Sequence, residues 1–175
     1  SYGVVIAGDS INSRALKDDL NEFLEDIGRE IIKAEKKTKM IIINFPSNPT
    51  TQVANLDFFT KLVEIGKRYD IWIVHDLDYA DIVFDDYKAP SILEVEGAKD
   101  IAVEFFTLSK SYNMPGWRVG FCCGNKSLVQ ALTKIKSYMD YGTFTPIQVA
   151  AIKALNDCDQ DVKEICKIYE LRRDE

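Results

Sequence analysis

Histidine is all but absent from this chain: of its 175 residues only His75 carries an imidazole. A metal centre built on several imidazoles is thereby excluded, and the four cysteines do not replace it. Cys122 and Cys123 are adjacent in an apolar run, while Cys158 and Cys166 lie in a polar, helical stretch. That spacing fits neither a metal site nor a secreted disulfide framework, so reduced thiols of a cytoplasmic protein are expected. Also missing are a secretory leader and any apolar run long enough to cross a bilayer. Positive charge is in deficit, with 22 Lys and Arg against 28 Asp and Glu and a net charge of −6. A polyanion surface such as nucleic acid needs a basic face to release counterions, and none is present.

What is there is a globular chain of 46% hydrophobic residues, long enough for one domain with a sizeable core. It opens on Ser1, enters an apolar run at once, and closes on an amphipathic pattern from Asp161 to Glu175 without a C-cap, so a piece of a longer protein is expected. Val4–Ala7 reads as a short strand. Leu16, Leu20, Phe23, Leu24, Ile27, Ile31 and Ile32 recur at helical spacing and end in the basic stretch Lys33–Lys39, which suits the negative end of a helix dipole. Met40–Phe45 is an apolar run broken only by Asn44, as in a strand covered on both faces. A helix over Leu56–Tyr69 and a buried strand over Ile71–Val74 follow. Residues 80–99 read as loop, with Asp81, Asp85 and Asp86 solvated and a helical turn over Ser91–Val95. The apolar run Ile101–Phe106 predicts another strand. Helices are predicted over Asn125–Tyr138, with its aromatics in the core, and over Pro146–Leu155, with a last one after the polar break Asn156–Gln160.

Polar residues that end such buried runs are site candidates, because ligands of open α/β sheets bind beyond the carboxyl ends of the strands. Three runs end in this way, at Asn48, Asp76 and Lys110. The third reads T-L-S-K-S-Y-N-M-P-G-W-R-V-G from Thr107 to Gly120. A lysine at the rim of a core, near another cation, can act as an amine nucleophile toward a carbonyl. Arg118, with its fork of donors, and the hydroxyls of Thr107 and Ser109 suit a phosphate, so together they point to a phosphorylated aldehyde cofactor. Asp76, at the end of a β-branched strand, is costly to desolvate unless it meets a cation.

The stretch S-K-S-Y-N-M-P-G-W-R-V-G resembles the pyridoxal-phosphate attachment motif of the class I and II aminotransferases, the fold-type-I or aspartate-aminotransferase superfamily. S-N-P-T at 47–50 and H-D-L-D-Y at 75–79 resemble two further elements of that family, and the likeness covers nearly the whole chain. Within the family it is most similar to bacterial alanine and LL-diaminopimelate aminotransferases. Three positions depart from the pattern: Thr51 and Thr107 replace glycine and serine or glycine, and Asp78 replaces alanine. Asp78 thereby adds a negative charge near the ring or at its edge.

The resemblance implies an α/β fold, the three-layer large domain of these enzymes. Its sheet is mostly parallel with helices on both faces, truncated at both ends, and residues 1–158 form a partial cofactor domain. Residues 159–175 would begin the helix leading to a small domain. It implies a pyridoxal 5′-phosphate enzyme that moves an amino group between an amino acid and a 2-oxo acid through a Lys110 Schiff base. Asp76 would keep the pyridine nitrogen protonated and Asn48 and Tyr79 would bind the phenolic oxygen, with Thr107, Ser109 and Arg118 holding the phosphate. Lys110, Asp76 and Tyr79 are the catalytic candidates and no metal is implied. The Tyr141–Pro146 break implies a homodimer with shared sites. A lyase or decarboxylase on the same scaffold, or a fragment that folds without turnover, are the alternatives. His75 reads as a packed or hydrogen-bonded core residue, or a group stacked on or supporting the ring.

Overall fold

The computed structural model describes residues 2–175. In chain order its elements are α1 (Tyr2–Ile6), α2 (Leu20–Lys33), β1 (Met40–Asn44), α3 (Leu56–Tyr69), β2 (Trp72–Asp76), β3 (Ala102–Thr107), α4 (Leu108–Ser111), β4 (Gly120–Gly124), α5 (Lys126–Met139), α6 (Thr145–Asp157) and α7 (Asp159–Asp174). The strands form one sheet in the order β1-β2-β3-β4, the first two pairings parallel and the last antiparallel. The carboxyl ends of β1, β2 and β3 therefore leave the sheet on one side, and every polar residue that terminates an apolar run is delivered there.

Helix α3 forms because Asn55 caps it, accepting from the Phe58 N–H at 2.9 Å, and because its apolar residues return every three or four positions. It ends at Asp70, whose left-handed φ of 55° closes the last turn onto the Gly66 carbonyl. Gly66 is where the helix meets the sheet: a Cβ there would lie 2.7 Å from the Ile101 side chain. The buried face of α3 packs Phe58, Phe59, Leu62 and Val63 against Phe45 and Ile73, with α2 adding Phe23, Leu24 and Ile27. Phe45 meets Phe58 edge to face at 5.2 Å, and Phe58 meets Phe59 at 5.5 Å. Full burial of one such ring contributes about 2–3 kcal/mol of transfer free energy.

Several expectations need correction. Val4, Val5 and Ile6 are helical within α1 and Ala7 lies in the turn that follows, rather than in a strand. Val5 and Ile6 are exposed and α1 joins no sheet, so local i→i−4 bonds satisfy a backbone that a ladder would otherwise need to pair. Helix α2 starts at Leu20 instead of Leu16, because Asp19 takes the N-cap and accepts from the Asn21 N–H. Strand β1 is covered on one face only: Ile43 is buried against α3, whereas Met40, Ile42 and the neighbouring Trp72 stand exposed on the other. Helix α5 carries the predicted apolar stripe but buries none of it, and Tyr138 is 80% exposed rather than core. Asp85 is paired, not merely solvated: Arg173 near the end of α7 grips it with both guanidinium nitrogens. No described helix is long and apolar enough to cross a membrane.

Candidate active site

The parallel ladder places Asn44 of β1 opposite Asp76 of β2, and Asp76 opposite Phe105 of β3. Just past the β1 end the chain turns through Pro46 and Pro49, both preceded by cis peptide bonds. The Asn44 amide clamps that turn: its Nδ2 donates to the Asp76 carbonyl at 2.9 Å and its Oδ1 accepts from the Asn48 N–H at 2.8 Å. Asn48 Nδ2 in turn reaches Tyr79 Oη at 3.1 Å. The Lys110 amine lies over the Tyr79 ring, 5.3 Å from its centroid. Asn48, Tyr79 and Lys110, from three strand ends, thus stand in one contiguous group.

Asp76 is held by its backbone, but its side-chain Oδ1 is buried without a hydrogen-bond partner among the described residues. An unpaired buried carboxylate oxygen costs free energy unless a donor reaches it, and a native site seldom leaves one so. Asp78 lies next to it. Burial first, then the Asp76 carboxylate, push the Asp78 carboxyl up from 3.8 to about 6, while the positive charges of Lys110 and Arg118 pull it down. Asp76, Lys110 and Arg118 are thus all near enough for their charges to bear on Asp78. The added charge expected at Asp78 sits beside Asp76.

Strand β4 runs back along β3, so Gly120 faces Thr107. Only glycine fits there, since a Cβ would stand 2.5 Å from the Phe106 carbonyl oxygen. Thr107 caps the short helix α4, accepting from the Ser109 N–H at 3.2 Å and donating to Ser109 Oγ at 2.9 Å. Arg118 has a left-handed φ of 51°, and its Nη1 donates to the Pro115 carbonyl at 2.8 Å. The two hydroxyls are in contact and the guanidinium is exposed on the same hairpin, turned toward Pro115 rather than toward the hydroxyls.

A cleft of about 540 Å³ opens beside this group, sharing Asn48 and Tyr79 with it and walled by Ile82, Phe84, Tyr87 and Arg173. Lys110 and Asp76 do not line it. Among the described residues no cluster of His, Cys, Asp or Glu could hold a metal ion.

His75 does not stack over this volume. It projects to the α3 side of the sheet, opposite to its neighbour Asp76, fully buried with its ring 4.8 Å from that of Phe59. Asn44 is the break already visible in the run Met40–Phe45, here given a role, whereas Glu104 is a polar residue that the reading of apolar runs passed over. It interrupts an otherwise apolar strand, and that interruption is the signal by which it could be found.

The residues present suit a pyridoxal phosphate ring: an unsatisfied acid at Asp76, a hydroxyl and amide pair at Tyr79 and Asn48, an amine at Lys110, and hydroxyls with a guanidinium at Thr107, Ser109 and Arg118. The comparisons with known proteins bear on the family. Residues 10–175 match the family described as aminotransferase class I and II. The chain is 58% identical over 173 residues to glutamate-pyruvate aminotransferase AlaC of Escherichia coli, covering 99% of this chain and 42% of that protein. It is 50% identical over 155 residues to LL-diaminopimelate aminotransferase of Nitratidesulfovibrio vulgaris, covering 88% of this chain and 40% of that protein. An aminotransferase structure from Staphylococcus aureus superposes with a TM-score of 0.87 at 38% identity, over 98% of this chain and 45% of that one. The chain thus spans about two fifths of the length of the relatives it matches. On its sequence and on its fold alike, it belongs to the class I and II aminotransferase family.

Proposed function

We propose that the full-length protein is a pyridoxal-phosphate-dependent aminotransferase that moves an amino group between an amino acid and a 2-oxo acid. The observation that carries this reading is the buried, unpartnered Oδ1 of Asp76, in a volume whose charge is shared with Lys110 and Arg118. Pyridoxal phosphate supplies an aldehyde that couples to amines and a ring that withdraws electrons from the α-carbon of a bound amino acid. Lys110 offers the amine that holds the aldehyde and, once displaced, serves as base and then acid for the α-proton. Asp76 holds a proton at the ring nitrogen, for which its bare Oδ1 is the waiting acceptor. The Asn48 and Tyr79 pair directs its hydrogens at the phenolic oxygen. Thr107, Ser109 and Arg118 hold the phosphate, with Arg118 swinging away from the Pro115 carbonyl to do so.

The AlaC relative makes alanine with 2-oxoglutarate the first substrate pair to test. Residues 1–158 belong to the cofactor domain, and α7 begins the helix leading to a small domain. The exposed apolar residues Tyr138, Met139, Tyr141 and Phe144 form the face of a homodimer, and the enzyme works in the cytoplasm. The test is absorbance of the full-length protein after adding pyridoxal phosphate, with alanine and 2-oxoglutarate then compared against a β-elimination substrate. A visible band present in the wild type and lost in Lys110→Ala, with amino transfer and no elimination, is the expected result. Identical spectra for the two proteins end this reading.

A further inference from the structure

On the face of the sheet away from the candidate site, His75 and Glu104 are register partners in β2 and β3, and both are buried. Both ring nitrogens of His75 face acceptors: Nε2 lies 3.0 Å from the Phe45 carbonyl oxygen and Nδ1 lies 2.8 Å from Glu104 Oε2. A carbonyl has no proton to give, so Nε2 carries one. Both carboxylate oxygens of Glu104 already accept hydrogen bonds. Its Oε1 receives the Ser91 hydroxyl at 2.7 Å and its Oε2 the Ile92 N–H at 2.9 Å, while Ser91 Oγ accepts from the Leu93 N–H at 3.1 Å. A neutral imidazole beside an ionised carboxylate would set two lone pairs against each other at 2.8 Å. One further proton therefore lies between Nδ1 and Oε2, and the pair is neutral as a whole.

The contacts of this pair fall on a short list of places. Phe45 lies one residue beyond β1 and three before Asn48. His75 is the residue before Asp76. Glu104 lies on the strand that runs into Thr107 and Lys110. The ladder between β1 and β2 ends at Asn44 and Asp76, so the bond from His75 to Phe45 continues the tie past the last backbone pairing. Burying an ion pair adds little stability compared with apolar residues of the same volume, and its worth is in direction.

We propose that His75 and Glu104, sharing one proton, are positioning residues: a buried brace that fixes how far the ends of β1, β2 and β3 stand relative to one another, and with them Asn48, Asp76 and Lys110. This rests on the reading of those three residues as a pyridoxal phosphate pocket. Removing the shared proton leaves the fold's core in place but lets the three strand ends shift.

The test uses the full-length protein with Glu104→Gln, which keeps the side chain's shape and permits a neutral imidazole, and with His75→Phe, which fills the volume beside Phe59. Nitrogen-15 NMR of the cofactor-free wild type, its His75 signals assigned by their loss in His75→Phe, should show both ring nitrogens protonated. Should His75→Phe fail to fold, Glu104→Gln carries the test, because the displaced His75 signals then make the assignment. Glu104→Gln should weaken pyridoxal phosphate binding by about tenfold and alter the circular dichroism of the bound cofactor, since a small displacement of positioned groups has effects of that size or larger. A bare ring nitrogen in the wild type overturns the proposal. So does an affinity unchanged within about twofold together with an unaltered dichroism band, even if melting temperature falls. If the wild-type band survives in Lys110→Ala, the pocket reading itself fails and this proposal goes with it. A band that depends on Lys110 but ignores Glu104→Gln sinks the brace alone.

Discussion

Replacing Asp78 by asparagine keeps the shape of the side chain and removes the charge that β2 delivers beside Asp76. In the folded protein burial and the Asp76 carboxylate lift the Asp78 carboxyl from 3.8 to about 6. A shift of that size is worth about 3 kcal/mol at about 1.4 kcal/mol per pH unit, and solvent screening of a part-exposed group reduces it to about 1 kcal/mol. The direction follows from linkage. Between the unfolded and the folded values the folded protein binds more protons, so stability falls as pH rises through that window. Below about pH 4 the carboxyl is neutral in both states and costs little; above about pH 6 the penalty is complete. Asparagine carries no charge at any pH. Asp78→Asn should therefore gain stability over the wild type by about 1 kcal/mol more near pH 8 than near pH 4. Denaturant unfolding of the cofactor-free, full-length protein at the two pH values measures that difference. A gain that is the same at both, or larger in acid, refutes the electrostatic reasoning.

Two further perturbations test the packing that positions the site. Phe59 is fully buried between Phe45, Phe58 and His75, so Phe59→Ala should cost about 3–5 kcal/mol in denaturant unfolding, and a loss below about 1 kcal/mol would contradict the core described for α3. Asn125 caps α5 by accepting from the Ser127 and Leu128 N–H groups and also donates to the Lys99 and Asp100 carbonyls; Asn125→Ala should lose about 1–2 kcal/mol, read as a lower unfolding midpoint.

The elements legible in the sequence are those where local pattern and tertiary demand agree. Helix α3 has the predicted bounds because Asn55 caps it, its apolar stripe meets the sheet, and Asp70 stops it. The strand ends bearing Asn48, Asp76 and Lys110 could be placed for a similar reason, since a polar residue ending an apolar run has few other places to go. Residues 4–7 misled because β-branched composition says only that a segment would fit a sheet, not that a neighbour exists to pair with it. The exposure of Ile42 and Tyr138 was equally invisible, because an apolar face looks the same in sequence whether this chain or another segment covers it. Glu104 was lost inside Ile101–Phe106 because averaging over a window hides one carboxylate. Its partner is set by parallel register at a separation of 29 positions along the chain, which no local pattern encodes.

The antiparallel return of β4 has a consequence for motion. Lys110 and Arg118 are both carried between β3 and β4, on a single hairpin closed by Gly120 against the Phe106 backbone, whereas Asp76 and Asn48 ride on separate parallel strands. The spacing between the backbone positions of Lys110 and Arg118 is thus a property of one hairpin. A slide of β1 or β2 against that hairpin leaves it alone and is felt only as a change in where the acid and the amide stand.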